Sequence, residues 1–441
     1  MMKMRLLLLS LLFALSFNIF AQEENDTIAP MNFNPQIGFF QKVYSDEKDP
    51  RFMVSDSKDN FKFGVGGTLL LTGFYDIDGA VDNRGFSIYS IPIPTDYCGN
   101  FGLVVSNSRV NFKVVGTVMG KPLVSFLEIG VDKNTTNIKL RQAYLSYGGF
   151  TIGHTYSMFN DLDGGVMTVD LEGPNTSVGK THPLIAYRHN IGRHLSLAVG
   201  IETPAFEEFT ERIDVKDINK PDSVLFYFDK DFQQMPDFTF HIKYKGYFGH
   251  VQFGALFRTL YYYVNDKPDT YENYSGEDRS EFAYGLALSS NINITKKLVL
   301  AVQGVGGRGI SEYINNISSA HIDLLAKRKI GENCDYGNPV IATPIIGGYA
   351  GLQYSFTDKI TTSAVYGQVH IFREDGYQYS DNFEDGSYFA INAFYSVDKY
   401  LRFGLEYLNG YKRVYEITEN NDVAHHDGKS SRFDISVKYS F

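Results

Sequence analysis

The residues able to do chemistry in this chain are charges, and they fall into two groups. Basic residues recur in short alternating stretches: Arg109 and Lys113 around Asn111, then Lys139 and Arg141, then Arg188, with the acid Glu128 in a similar setting. Four acids, Asp161, Asp163, Asp170 and Glu172, crowd the segment Met158–His182, which also carries apolar Val166, Met167, Val169 and Leu171. Carboxylates facing fixed cations create a transverse field that orients a polar solute, as charged rings do in selective pores. The plainer alternative is that these charges are solvated wall residues.

Bond-making chemistry finds no comparable pattern. Gly304-Val305-Gly306-Gly307-Arg308-Gly309 spells G-x-G-x-x-G but opens no helix, so it lacks the context a dinucleotide site needs. Glycines there suit a bend in a sheet wall. Gly173 and Gly179-Lys180-Thr181 have five residues between the glycines, where a phosphate loop has four. There is no G-x-S-x-G and no H-E-x-x-H, and His425-His426 lies where a solvated loop is the ordinary reading. No catalytic group, metal or cofactor is expected, and the chain is not expected to be an enzyme. The net charge of -10 argues against nucleic acid as a partner.

The elements that must position these charges are strands. In Arg432–Phe441, Phe433, Ile435, Val437, Tyr439 and Phe441 alternate with charged residues or serine, which predicts a strand with one apolar and one polar face. The same pattern recurs from Phe61–Ile77 onward, giving about 16 strands. Most connections alternate between long, from the polar Asp78–Asn107 to the last, Thr418–Lys429, and short. The exception is the link Lys133–Asn137 after the third strand, which is short where a long one is due. Short turns at one end and long loops at the other describe an all-β fold, a transmembrane antiparallel β-barrel. The 31 Tyr and 35 Phe suit its two aromatic girdles, here built without Trp. Met158–His182 is the third long-side connection, and its apolar residues predict a loop folded inward onto the wall.

The face opposite the apolar one is then the lumen. It carries Lys62, Thr68, Asp76, Arg109, Asn111, Lys113, Glu128, Lys139, Arg141, Arg188, Gln252, Arg258, Gln368, His370, Arg402, Glu406, Arg432, Asp434 and Lys438. A barrel of this size encloses a water-filled channel. Residues 1–21, with Lys3 and Arg5 before the apolar run Leu6–Phe20, read as an export signal cut after Ala21. Residues 22–60 read as a periplasmic lead-in and 61–441 as the barrel, placed in the bacterial outer membrane against lipid and lipopolysaccharide. Cys98 and Cys334 both fall in long connections, where one disulfide and two separate thiols remain equally open.

Several stretches resemble DcaP-like outer-membrane porins. Thr151-Ile152-Gly153-His154-Thr155-Tyr156 is similar to the family's glycine–x–threonine–aromatic stretch, and Asp170-Leu171-Glu172-Gly173-Pro174 to its constriction-loop motif. Leu140-Arg141-Gln142-Ala143-Tyr144 resembles its arginine-bearing fourth strand, and Gly404-Leu405-Glu406-Tyr407 and Lys438-Tyr439-Ser440-Phe441 its tail. The resemblance spans about residues 61–441. It implies a homotrimeric 16-stranded diffusion porin that passes small polar solutes, with preference for small anions such as dicarboxylates through wall arginines. On that basis Arg109, Arg141 and Arg188 are the eyelet cations. Residues 22–60 do not match the coiled-coil extension of some members, and the acids of the third loop pull against anion preference. A phosphate-selective porin would need a lysine or arginine ladder, which the chain lacks. The competing readings are a surface-binding or adhesion barrel using the acidic segment Pro204–Gln234, and a barrel enzyme.

Overall fold

The computed structural model describes residues 52–55, 61–79, 81, 85–95, 99–131, 137–170, 172–203, 212–215, 224–227, 235–265, 277–315, 317–320, 322–327, 340–378, 382–417 and 422–441, all within the unit Ile37–Phe441. The expected export signal, most of the lead-in, both cysteines, Leu171 and most of Pro204–Gln234 lie outside them.

Period-2 alternation sets the architecture. Along the last strand Phe433, Ile435 and Tyr439 are exposed while Asp434, Ser436 and Lys438 are buried, so the apolar face points to lipid and the polar face inward. Sixteen strands form one closed antiparallel barrel. They are β1 (Phe61–Asp78), β2 in two stretches (Asn100–Val104 and Arg109–Val118), β3 (Lys121–Val131), β4 (Ile138–Tyr147), β5 (Phe150–Tyr156), β6 (Thr181–Ile191), β7 (Leu195–Glu202) and β8 (Asp237–Gly246). The second half holds β9 (Gly249–Asn265), β10 (Glu277–Asn293), β11 (Leu298–Arg308), β12 (Pro344–Ser355), β13 (Ile360–Ile371), β14 (Phe383–Ser396), β15 (Leu401–Ile417) and β16 (Val423–Ser440).

Each strand pairs with its sequence neighbours, and β16 closes on β1 from Thr68↔Ser440 to Asp76↔Arg432. Phe441 extends the closure by exchanging backbone hydrogen bonds with Gly67 at 2.9 and 3.0 Å. Beyond Gly67 the β1 edge would lack a partner, and Phe52–Ser55 supplies one in the register Phe52↔Val65 to Ser55↔Lys62. This part of the expected lead-in is therefore an edge-covering strand, which fits the cost of an open ladder.

The tight turns share one end. Met119 and Gly120, both at positive φ (49° and 75°), turn β2 into β3, as two-residue hairpins of this hand require. Three connections at the other end matter for the interior: L1 (79–99), L3 (157–180) and L6 (309–343). All three send apolar side chains inward. Phe86, Ile88 and Ile91 of L1, Phe159, Val166 and Val178 of L3, and Ile310, Tyr313 and Ile314 of L6 form one buried cluster with Leu256, Val305, Ile345, Val365, Val369 and Leu408 of the wall.

That interior core alters the expected lumen. On β13 the inward residues are Ser363, Val365, Gly367, Val369 and Ile371, because loop side chains cover them, so Gln368 and His370 belong to the outer face. The Asn100–Val104 stretch, expected within a long loop, is the upper part of β2. Val105–Ser108 interrupt it, with four residues opposite three of β1, and the Ser108 hydroxyl bonds to the Leu70 N–H (3.0 Å) and C=O (3.2 Å) in place of the ladder. The expected final loop, 418–429, is mostly strand, and His425 and His426 sit on β16 against Glu384 (3.0 Å) and Glu416 (3.1 Å).

Candidate pore-lining site

On the β2–β4 wall the charges converge on one carboxylate. Glu128, almost fully buried, receives Arg109 Nε at 3.4 Å and Arg141 Nε at 3.2 Å. Strict alternation along β4 cannot hold both Arg141 and the inward Gln142 on this side. Gln142 pairs with Glu128 while Leu140 pairs with Ile129, which leaves Arg141 as the extra residue of a β-bulge. The bulge turns its side chain toward Glu128 and toward Asn107 Oδ1 at 3.0 Å, the re-aiming that bulges commonly perform. Lys113 is buried two positions beyond Asn111 on the same inward row of β2, whereas Lys139 is exposed near the loop end of β4. Arg188, partly buried on the inward row of β6, lies in the electrostatic reach of Asp163.

The other half of the site is L3, which runs across the inner wall from β7 to β15. Its backbone meets inward side chains in succession. The Met158 N–H donates to Glu202 (3.2 Å), the Asn160 C=O accepts from Gln252 (2.9 Å) and the Gly165 C=O accepts from Asn291 (3.1 Å). Farther along, the Met167 N–H donates to Gln353 (3.0 Å), and its C=O accepts from Asn392 (2.9 Å) and the Ser363 hydroxyl. The N–H groups of Val169 and Asp170 then donate to the Glu406 carboxylate at 3.0 and 2.6 Å. Polar residues on the inner wall thus satisfy a loop whose backbone would otherwise be buried without partners. The expected inward course of this loop is what these contacts describe.

The loop acids have partners on the loop's own side. Asp161 accepts from Lys243 Nζ (2.9 Å) and Ser289 Oγ (2.6 Å) and faces His250 Nε2 at 2.7 Å; Asp163 accepts from Lys243 (3.0 Å), with Lys245 at 3.8 Å. Burial alone would raise the Asp161 pKa, but Lys243, His250 and Ser289 outweigh it and hold the carboxyl well below the usual range. Burial likewise opposes ionisation of Asp163, and Lys243 with Lys245 keep its pKa lowered. Asp170 behaves oppositely. Burial, followed by the neighbouring Glu172 carboxylate, raises its pKa to about 6, although it accepts from the N–H groups of Phe86 (3.1 Å) and Glu172 (3.2 Å) and from the Tyr388 hydroxyl (3.2 Å). Glu172 is only partly buried.

Nine of the ten charged residues named from sequence fall into two clusters, wall charges on β2–β4 and loop acids seated on β8–β14, and Arg188 of β6 lies between them within reach of Asp163. Sequence reasoning missed Lys243, His250, Ser289, Asn392 and Tyr388. Lys243 shares the inward row of β8 with Thr239 and His241, so alternation alone could have marked it.

A family model described as a porin subfamily matches residues 111–432. No curated protein matches the chain. Among solved structures, the outer membrane channel DcaP of Acinetobacter baumannii is 17% identical with a TM-score of 0.64, over 88% of this chain and 99% of that one. An anion-selective porin from Comamonas acidovorans is 11% identical with a TM-score of 0.51, over 86% and 100% of the two chains. OmpT of Vibrio cholerae, in a trimer form, is 12% identical with a TM-score of 0.51, over 87% and 100%. At these identities the likeness shows the fold, while the family match extends over most of the chain. The fold and family are those of a channel rather than an enzyme, and the chain belongs to the porin subfamily as a β-barrel of the bacterial outer membrane.

Proposed function

We propose that the protein is a homotrimeric diffusion porin whose lumen L3 narrows, and that it favours small organic anions, dicarboxylates among them. The observation that carries the reading is the separate neutralisation of two of the four loop acids, Asp161 and Asp163. Lys243 and Lys245 take up Asp161 and Asp163 on the loop's own side, so those acids do not cancel the cations of the opposite wall. Among the described wall residues of β2–β4, Arg109, Lys113, Lys139 and Arg141 outnumber the acid Glu128, while Arg188 on β6 lies within reach of Asp163. Fixed positive charge along a narrow aqueous path raises the local concentration of anions. The trimer is inferred from the trimer form of OmpT, the anion preference from the charge balance together with the Comamonas porin described as anion-selective.

Planar-bilayer recording of the purified protein tests this. Current steps in threes and a reversal potential of anionic sign in a salt gradient are expected, with Arg141→Ala moving that potential toward cations. A reversal potential that Arg141→Ala leaves in place would refute the role given to the wall arginines.

A further inference from the structure

L1 was expected to be a plain polar surface connection, yet its middle is among the most deeply buried parts of the molecule. Phe86, Ile88 and Ile91 are 0%, 0% and 1% exposed, inside the barrel and against the inner face of β14–β16. The wall is shaped to receive them. Gly386 and Gly428 flank Lys412 in one row of the ladder, and Gly410 lies two residues along β15. A Cβ at Gly386 would stand 2.6 Å from Ile88 Cδ1, one at Gly410 2.6 Å from Phe86 Cε1, and one at Gly428 2.5 Å from the Pro92 carbonyl oxygen. Three adjacent strands thus each leave out a side chain where L1 needs the room. Lys412 fastens the same stretch by donating to the Tyr89 carbonyl at 2.6 Å and lying 4.8 Å over its ring.

L1 is also joined to L3. The Phe86 N–H donates to Asp170 and the Ile88 N–H to Asn175 Oδ1 at 2.9 Å, so the two loops share a seam in addition to sharing the wall. We propose that L1 is a second size-limiting element of the pore, closing the β14–β16 side of the outer mouth and setting an upper limit on hydrophilic solutes independently of their charge. This rests on the reading that solutes diffuse through the lumen.

The test uses full-length protein carrying Phe86→Ala, Ile88→Ala and Ile91→Ala together, and separately Gly410→Val, which displaces Phe86 from its seat while leaving L1 itself intact. Single-channel conductance and the swelling rates of liposomes in neutral mono-, di- and trisaccharides are compared with the parent. Neutral sugars keep the result separate from the wall charges. Conductance is expected to rise about twofold, in proportion to the open cross-section, with the gain in permeation growing from mono- to trisaccharide. A folded, heat-modifiable variant with parental conductance and parental sugar cut-off would overturn the role of L1 and leave the porin reading standing. A parent protein that inserts and never conducts would overturn both. Should the triple variant fail to insert, Gly410→Val decides alone.

Discussion

Lys243→Met is the sharpest probe of how L3 is held. The lysine is buried on β8 and bridges two loop carboxylates, Asp161 at 2.9 Å and Asp163 at 3.0 Å. Methionine keeps most of the aliphatic volume and removes the charge. Asp161, equally buried, would retain His250 and Ser289 as partners, so it would lose its strongest neighbour without being orphaned. Breaking a buried pair by removing one partner costs about 3–5 kcal/mol when nothing compensates. With two partners remaining, about 2–3 kcal/mol is expected, roughly a 30- to 150-fold increase in the population of undocked loop.

The barrel wall should not feel this loss, because its sixteen-stranded ladder does not pass through Lys243's side chain. The effect belongs to local opening, which is drawn from the less stable parts of a fold. Protease nicking within 157–180 and flicker of the single-channel current are the readouts, with heat modifiability on gels reporting the wall. The pH dependence separates an electrostatic cause from a packing one. Because the Asp161 pKa is held below its unfolded value, the pair stabilises docking above about pH 4 and loses that contribution only as pH falls below it. The difference between variant and parent should therefore be full at pH 7 and shrink in strong acid. Equal nicking rates in the two proteins at pH 7 would refute the anchoring argument.

Further outcomes follow from the same geometry. Glu128→Gln frees Arg109 and Arg141 from their shared carboxylate while keeping a hydrogen-bond acceptor, so anion selectivity in reversal-potential measurements should increase; a shift toward cations would count against the wall-charge account. Asp170 titrates in the opposite sense to Asp161. Its raised pKa, about 6, means that the docked loop holds the proton more firmly than the undocked one, so docking should strengthen as pH falls from 7 to 4 and weaken as pH rises through 6. The span amounts to about 2–3 kcal/mol, and Asp170→Asn should flatten it in the same nicking assay; a slope that survives the substitution would assign it to another group.

The wall was legible in the sequence because lipid on one side imposes strict alternation, and every strand expected from Phe61 to Phe441 is present, although the second, fifteenth and last run well past their expected ends on the loop side. Legibility failed where the inner face is not wet. On β13 the side chains that the sequence reading took as lipid-facing, Val365 and Val369, pack instead on L1, L3 and L6, and the outer face carries Gln368 and His370 in their place. Period-2 analysis cannot tell lipid from the apolar underside of a loop, since both reward the same residues at the same spacing. The bulge at Arg141 is a second limit: Arg141 faces inward as expected, but the register changes after it, so that Gln142, Tyr144 and Ser146 take the inner face of β4. One extra residue moves a side chain to the other face, and nothing in Leu140-Arg141-Gln142 announces it. Conversely, the L3 acids were recognisable as unusual for a solvated loop, but their partners were not, because Lys243, His250 and Ser289 come from three strands up to 128 residues away. The charge at the pore wall is therefore settled by pairings that only closure of the barrel creates. A count of acids on L3 read from the sequence points toward cations, yet two of the four, Asp161 and Asp163, are already bound to Lys243 and Lys245, so the count overstates the negative charge the loop offers a solute.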